Sequence, residues 1–424
     1  MRDIQRRLSN SFYALSSLPA TAMGFALCIQ ISALSWLLST RYGLDIHEIG
    51  VVWAAGPLAG ILGQVIIGFI SDKTWFWGGR RRPFILIGGV LAALSVFLLP
   101  RIEVVADLFG IGNLVVVAVM VALTLDLSIN IGFNPTRSLI ADVTPDGEAR
   151  TRGYTWMQTI SGFWGVMAYL IGAFIDNYTL ISVGVVLVLA FSILPVLLIE
   201  EPRELAPATR EAATATDWPQ LWRIWTAHAF TWFGVQAMFV YIISFIQQHV
   251  VAPGATAAQA AAQSGHVIAI SFAVMNVVGF LLPALVLAPL VKRFGRVHTQ
   301  VACTGIMALA YFAIALFARS PATLYVLMGV VGIGWAAVVS LPFAIMSEQV
   351  DRSRMGYFMG LFNLSVVLPQ LATTVVGFVL KTSADKSLLF LICGGCLAVS
   401  SVLWLLVREK KAAPVAAPAL AASH

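Results

Sequence analysis

Apolar runs of about 20 residues, enough to cross a hydrocarbon core about 30 Å thick, recur along the chain with short polar breaks between them. They fall at 12–40, 47–71, 83–100, 112–141, 153–175, 179–199, 221–248, 265–291, 298–318, 322–347, 355–380 and 386–407. The pattern predicts an all-α membrane protein of twelve transmembrane helices. A Pro- and Ala-containing stretch from Glu200 to Gln220 separates six runs from six. The expected organisation is therefore an N-terminal six-helix bundle (1–199), a cytoplasmic linker (200–220), a C-terminal six-helix bundle (221–411) and an Ala/Pro tail (412–424) with too little to bury for a fold of its own.

One run breaks the apolar pattern more than any other: Leu123 to Asp142, LTLDLSINIGFNPTRSLIAD. At roughly 100° per helical residue, Asp126, Asn130, Asn134 and Arg137 lie within about a quarter of the circumference. A charge at mid-bilayer costs on the order of 3 kcal/mol on insertion scales, so such residues face the bundle interior or a wet cavity and mark solute or proton pathways. Burial opposes the charge of Asp126 and a nearby guanidinium supports it, so its protonation can switch with state. Asp126 and Arg137 are about 16 Å apart along the helix at 1.5 Å per residue, a gap that a sugar could partly bridge, because each hydroxyl both donates and accepts. Arg137 can instead snorkel to the interface, leaving Asp126 alone functional.

Other polar residues within runs are Gln30, Gln64 and Gln158, then His228, Gln236, Asn276, Asn363 and Gln370. An isolated carboxamide can simply link two helices. His228, Trp232, Gln236 and Phe239 share one helical stripe, either as a sugar platform of aromatic face and hydrogen-bonding groups or as ordinary packing. The second six runs carry no acid or base at the depth of Asp126, since Pro342 answers Pro135 but Ala344 stands where Arg137 would be.

Composition agrees with a membrane protein: 59% of the 424 residues are hydrophobic and only 11% charged, against about 25% in soluble domains, with a mean hydropathy of +0.88. With the N-terminus in the cytoplasm, all 26 Lys and Arg fall at the inner side except Arg41, Arg101, Arg319, Lys381 and Lys386. That asymmetry orients the chain in the cell (inner) membrane with both termini cytoplasmic. It also explains the net charge of +6 through anionic lipid, with no need for nucleic acid. Cys28, Cys303, Cys393 and Cys396 lie in apolar runs as small hydrophobes; the CGGC pair lacks the context of a redox or zinc motif, and no metal or other cofactor is expected.

Two connections repeat. GFISDKTWFWGGRRRPF has a shorter counterpart in LAPLVKRFGRVHT, and Asp142 to Tyr154 is echoed by Glu348 to Tyr357, each with an acid ending one run and Arg-x-Arg before Gly and Tyr opening the next. Repeated halves are a transporter signature. The inner-loop charges Asp72, Arg80, Arg81, Arg82, Asp142, Arg150, Arg152, Glu348, Arg352 and Arg354 are read as a cytoplasmic gate, with Asp72 placed near the N-terminus of the eleventh helix and Asp142 and Glu348 close to basic partners. Topology alone can also account for Arg80 to Arg82.

Gly68, Asp72, Lys73, Gly79, Arg80 and Arg81 resemble the signature loop of the major facilitator superfamily, and the twelve-run plan is similar throughout. GRRRPF, WAAGP with Gln64 following, and LDLSINIGFNPTRSLIAD resemble more narrowly the sucrose–proton symporters and related glycoside–pentoside–hexuronide cation symporters. In that branch an Asp is followed nine residues later by Pro and eleven later by Arg, matched by Asp126, Pro135 and Arg137. Ile129 departs from the paired Asn of relatives, and His47 is out of register with their outer-loop His. The resemblance implies proton-coupled symport of a sucrose- or maltose-like glycoside by alternating access in a functional monomer, with sodium the alternative ion. It implies proton coupling at Asp126 and substrate binding by Arg137, Asn130, Asn134, Gln30, Gln64, Gln158, His228, Trp232 and Gln236. The first two runs line the central cavity in that family. Enzyme motifs such as H-E-x-x-H, G-x-S-x-G or a phosphate loop are lacking. A proton-driven exporter and a non-transporting membrane sensor are the alternatives; Thr155 to Asp176 lacks the Gly-Pro motif of exporters.

Overall fold

A computed structural model describes residues 3–57, 59–60, 70–71, 74–144, 148–203, 216–347, 349 and 355–408. Gln64, Gly68, Asp72, Lys73, Glu348, Arg352 and Arg354 lie outside the described residues, as do the Arg150 side chain and residues 58 and 61–69 of the run expected at 47–71.

The helices are α1 (Asn10–Thr40), α2 (Ile46–Trp53), α3 (Arg82–Phe109), α4 (Leu114–Val143), α5 (Glu148–Phe174) and α6 (Asn177–Leu198). After the linker come α7 (Trp218–His249), α8 (Ala257–Leu282), α9 (Arg296–Phe317) and α10 (Pro321–Met346). They are followed by α11 (Met355–Ala372, continued by Thr374–Thr382) and α12 (Leu388–Trp404). Among the described residues, 10 helices are long and apolar enough to cross a membrane, and α12 is a shorter apolar one. The protein is an all-α integral membrane protein.

Most expected boundaries hold within a few residues, but α3 continues past Leu98 through a 3-10 turn at Leu99–Arg101 to Phe109. Arg101, expected in an outer loop, lies inside it. Its guanidinium folds back over the Phe97 ring at 3.8 Å and donates to Phe97 O at 2.7 Å, so the charge does not end the helix. Gly110, at φ 65°, ends it, in a conformation that costs glycine least.

Helices before the linker pack on one another, α1 with α5 and α6, α3 with α4 and α6; those after it do likewise, α7 with α11 and α12, α9 with α10 and α12, α8 with α10. Across the linker, α5 meets α8 and α2 meets α11. Several hydrogen bonds cross it at the end opposite the basic loops. Ser35 Oγ donates to Val240 O at 2.9 Å and accepts from Trp53 Nε1 at 2.8 Å. Trp36 Nε1 donates to Ala261 O at 2.7 Å, and Gln247 Nε2 to Ser39 Oγ at 3.1 Å.

Tyr241 of α7 closes this end tightly. Its Oη lies where a Cβ on Gly50 would be only 2.1 Å away and one on Gly377 2.6 Å away. Gly50→Ala is therefore expected to lower thermal stability by about 1–3 kcal/mol through overpacking, and Gly50→Ala with Tyr241→Phe to cost less than the two single changes summed, because the nearest ring carbon is 3.1 Å off. Thermal unfolding of the four proteins in detergent reads this directly.

The same end carries an ion pair, Lys381 Nζ to Asp45 Oδ2 at 2.6 Å, while Asp45 also caps α2 by accepting from His47 N and Glu48 N. Burial works against the Asp45 charge, but Lys381 and these backbone donors outweigh it and hold the carboxyl below its ordinary value. A lowered folded value contributes stability that is present above the unfolded value and lost as pH falls through the folded one. The difference in unfolding temperature between wild type and Asp45→Asn is accordingly expected to be constant near neutrality and to close below about pH 4.

Candidate functional site

α4 runs unbroken through Pro135, so the four polar residues keep the common face their spacing predicts. Asp126 is 9% exposed, Asn130 and Asn134 are half-buried, and Arg137 is exposed: the face passes from buried to open toward the basic loops.

The carboxylate is held by two other elements. Gln30 of α1, itself 1% exposed, donates from Nε2 to Asp126 Oδ2 at 2.9 Å. It sits where α1 widens into a π-helical turn, Gln30–Leu34, a local feature common at functional sites. Gly56, just beyond α2, makes the room: a Cβ there would stand 2.9 Å from Asp126 Oδ2. Asn130 Nδ2 donates to Asp126 O at 2.8 Å. The site thus brings Asp126, Gln30 and Asn130 together. Arg137 is set apart, its guanidinium 4.7 Å from the Phe133 ring centroid and its carbonyl accepting from Tyr154 Oη at 3.2 Å. Gln158 is exposed on α5, one turn before Gly162, whose added Cβ would strike Phe280 of α8 at 2.5 Å.

On α7 the expected stripe is also contiguous. Trp232 Nε1 donates to His228 Nε2 at 2.9 Å, and the fully buried His228 ring stacks on Phe362 of α11 at 4.6 Å and 14°. Gln236 Oε1 accepts from Gln370 Nε2 at 3.2 Å. Trp335 of α10 meets both Trp232 and Phe239 edge-on, at 6.1 and 5.5 Å. Trp335 was not singled out by its sequence position, since one Trp in an apolar run has no local mark.

At the basic end, Arg81 Nε pairs with Asp142 Oδ2 at 2.9 Å and Arg81 Nη1 donates to Ser71 Oγ at 2.8 Å. The basic partner expected for Asp142 is thus Arg81, and the pair joins the start of α3 to the end of α4, both before the linker. Arg80, Arg81 and Arg82 all donate their backbone N–H to the Glu201 carboxylate, at 2.7, 2.8 and 2.7 Å. Arg82 Nη2 also donates to Val196 O, and Arg152 Nη2 donates to Asn10 Oδ1 at 2.7 Å. Glu201 escaped the sequence reading. The available signal was a gap: α3 starts at Arg82 with Pro83 next and no side-chain cap from its own residues, so its orphan N–H groups required an acceptor from elsewhere.

Chemically, the arrangement offers one buried ionisable carboxylate with a carboxamide donor, a line of polar groups leading from it to an exposed guanidinium, and an aromatic wall on the post-linker helices. No cluster of three or more His, Cys, Asp or Glu suited to a metal occurs among the described residues.

Comparison with known proteins bears on what such a face serves. Over 175 residues, 37% of this chain and 31% of that protein, the sequence is 30% identical to a general alpha-glucoside permease of Schizosaccharomyces pombe. It is 22% identical over 420 residues, 84% of this chain and 81% of that protein, to the sucrose transport protein SUC4 of Arabidopsis thaliana. The fold matches the crystal structure of a D-xylose–proton symporter with a TM-score of 0.70 at 16% identity, covering 94% of this chain and 98% of that one. The family model described as MFS/sugar transport protein matches residues 12–380, and the chain therefore belongs to that family of secondary membrane transporters, not to the enzymes.

Proposed function

We propose that the protein is a proton-coupled symporter of a neutral glycoside, a sucrose- or maltose-like disaccharide, working as a monomer by alternating access between two six-helix halves (1–199 and 221–411). The observation that carries this is the Asp126 carboxylate, buried within a transmembrane helix, held by Gln30 and continuous with Asn130, Asn134 and Arg137. A carboxylate at that depth is a proton carrier by its chemistry, and the fork of Arg137 with the two carboxamides suits vicinal hydroxyls. Similarity to the alpha-glucoside and sucrose transporters supports the same substrate class. In this reading Gln30, Gln64 and Gln158 add hydrogen-bonding groups to the sugar site, and His228, Trp232 and Gln236 are its contribution from α7.

The basic loops face the cytoplasm with both termini, in the cell membrane. In this orientation the ties of α1, α2 and α5 to α7, α8 and α11 close the outer end. We assign the cytoplasmic gate to Asp72, Arg80, Arg81, Arg82, Asp142, Arg150, Arg152, Glu348, Arg352 and Arg354. Within it Arg81–Asp142 and Glu201 brace the first half, which then moves as a unit against the second. Purified protein in sealed vesicles, given labelled sucrose and maltose with an inward proton gradient, an inward sodium gradient or neither, tests the reading. Accumulation in the proton gradient is expected; accumulation only with sodium, export, or sugar binding without accumulation would each replace it.

A further inference from the structure

At the outer end, away from Asp126, a cleft of about 530 Å³ opens between α1, the α5–α6 connection and α8. The volume is within the ordinary range for small-molecule sites. Small residues make it: Gly172 and Ala173 on one wall, Ala258, Ala261, Ala262 and Gly265 on the other. Apart from Ile175, what lines it otherwise is polar or aromatic. The rings of Trp36 and Tyr178 stand edge-to-face at 5.5 Å, and the Arg41 guanidinium lies 6.0 Å from the Tyr178 centroid and 3.5 Å from its Oη. Asp176 caps α6 through Thr179 and is exposed. His266 contacts Ala173 O through Nδ1 at 2.6 Å.

A second observation points to a ligand. Asn177, 3% exposed, lies among these residues with its Oδ1 lacking a hydrogen-bond partner, and its amide is wedged where a Cβ on Gly172 or Gly265 would come within 3.0 or 2.9 Å. A buried carboxamide oxygen without a donor is costly. Here it sits beside the acceptor and donor groups of Asp176 and Arg41 and two aromatic rings, the set that recognises a polyhydroxylated ring.

We propose that this cleft is a second, outer glycoside site, which takes up the same class of sugar while the outer end is closed. Because Trp36 and His266 also tie α1 and α5 to α8, a sugar seated there bridges elements that separate when the outer end opens. The proposal rests on the glycoside reading above.

Equilibrium dialysis of the detergent-purified full chain with labelled sucrose and with labelled maltose tests it. Two sugars per chain are expected, one tighter than the other. Arg41→Gln and Tyr178→Ala, both at exposed positions, should each weaken one of the two by at least about tenfold, the loss of one good polar or stacking contact, and leave the other unchanged. Arg137→Lys should weaken only the remaining one. A single sugar per chain, or two that neither Arg41→Gln nor Tyr178→Ala alters, overturns the outer site while leaving the central reading intact. Binding of neither sugar removes the glycoside reading and the outer site with it.

Discussion

Asp126→Asn is expected to abolish proton-driven accumulation of sugar and to leave exchange of labelled for unlabelled sugar running. Asn keeps the shape of the side chain and can still meet Gln30 across the 2.9 Å contact after an amide flip, so the packing of α4 against α1 and Gly56 survives. It cannot ionise. Exchange requires only that the loaded carrier reorient, whereas accumulation requires that reorientation be tied to a proton taken up on one side and released on the other. The measurement is paired uptake and counterflow in the same vesicles, with folding and insertion verified. Undiminished accumulation by Asp126→Asn would leave the coupling without its carboxylate.

Arg81→Ala is expected to produce the largest loss of stability. Arg81 is 6% exposed, and its pair with Asp142 has side-chain exposures of 7% and 11%. Removing one member of a buried pair leaves the other charge unsatisfied, which costs roughly 3–5 kcal/mol. The double replacement Arg81→Ala with Asp142→Ala should recover much of that, since no charge is then stranded. Thermal unfolding of the single and double variants reads the difference. Sugar affinity in the folded fraction is expected to stay near that of the wild type, because Arg81 faces Asp142 and Ser71, not the polar face of α4. Lost binding with stability unmoved would place Arg81 on the ligand instead.

The polar face of α4 was legible because helical period and hydropathy are local properties: Asp126 to Arg137 needed no tertiary information to be put on one side. The stripe of His228, Trp232 and Gln236 was legible for the same reason, though not that His228 would take up the Trp232 N–H. The partners came from elsewhere in the chain. Gln30 was visible as a polar residue in an apolar run, but its contact with Asp126 spans 96 positions, and the π-helical turn that presents it has no composition signal. Glu201 lies 120 positions from Arg81 in what reads as the start of a linker. α3 was expected to stop at Pro100, where proline and arginine together look like a loop; the 3-10 turn and the stacking of Arg101 on Phe97 carry the helix through.

The most direct test of the central claim, that sugar entry and proton entry are one event at Asp126, is proton movement on sugar addition with no gradient imposed. Vesicles holding the purified protein and a trapped pH-sensitive dye receive sucrose or maltose from outside. The account predicts acidification of the lumen in step with sugar entry for the wild type and none for Asp126→Asn. Entry of sugar into wild-type vesicles with no change in internal pH would contradict it.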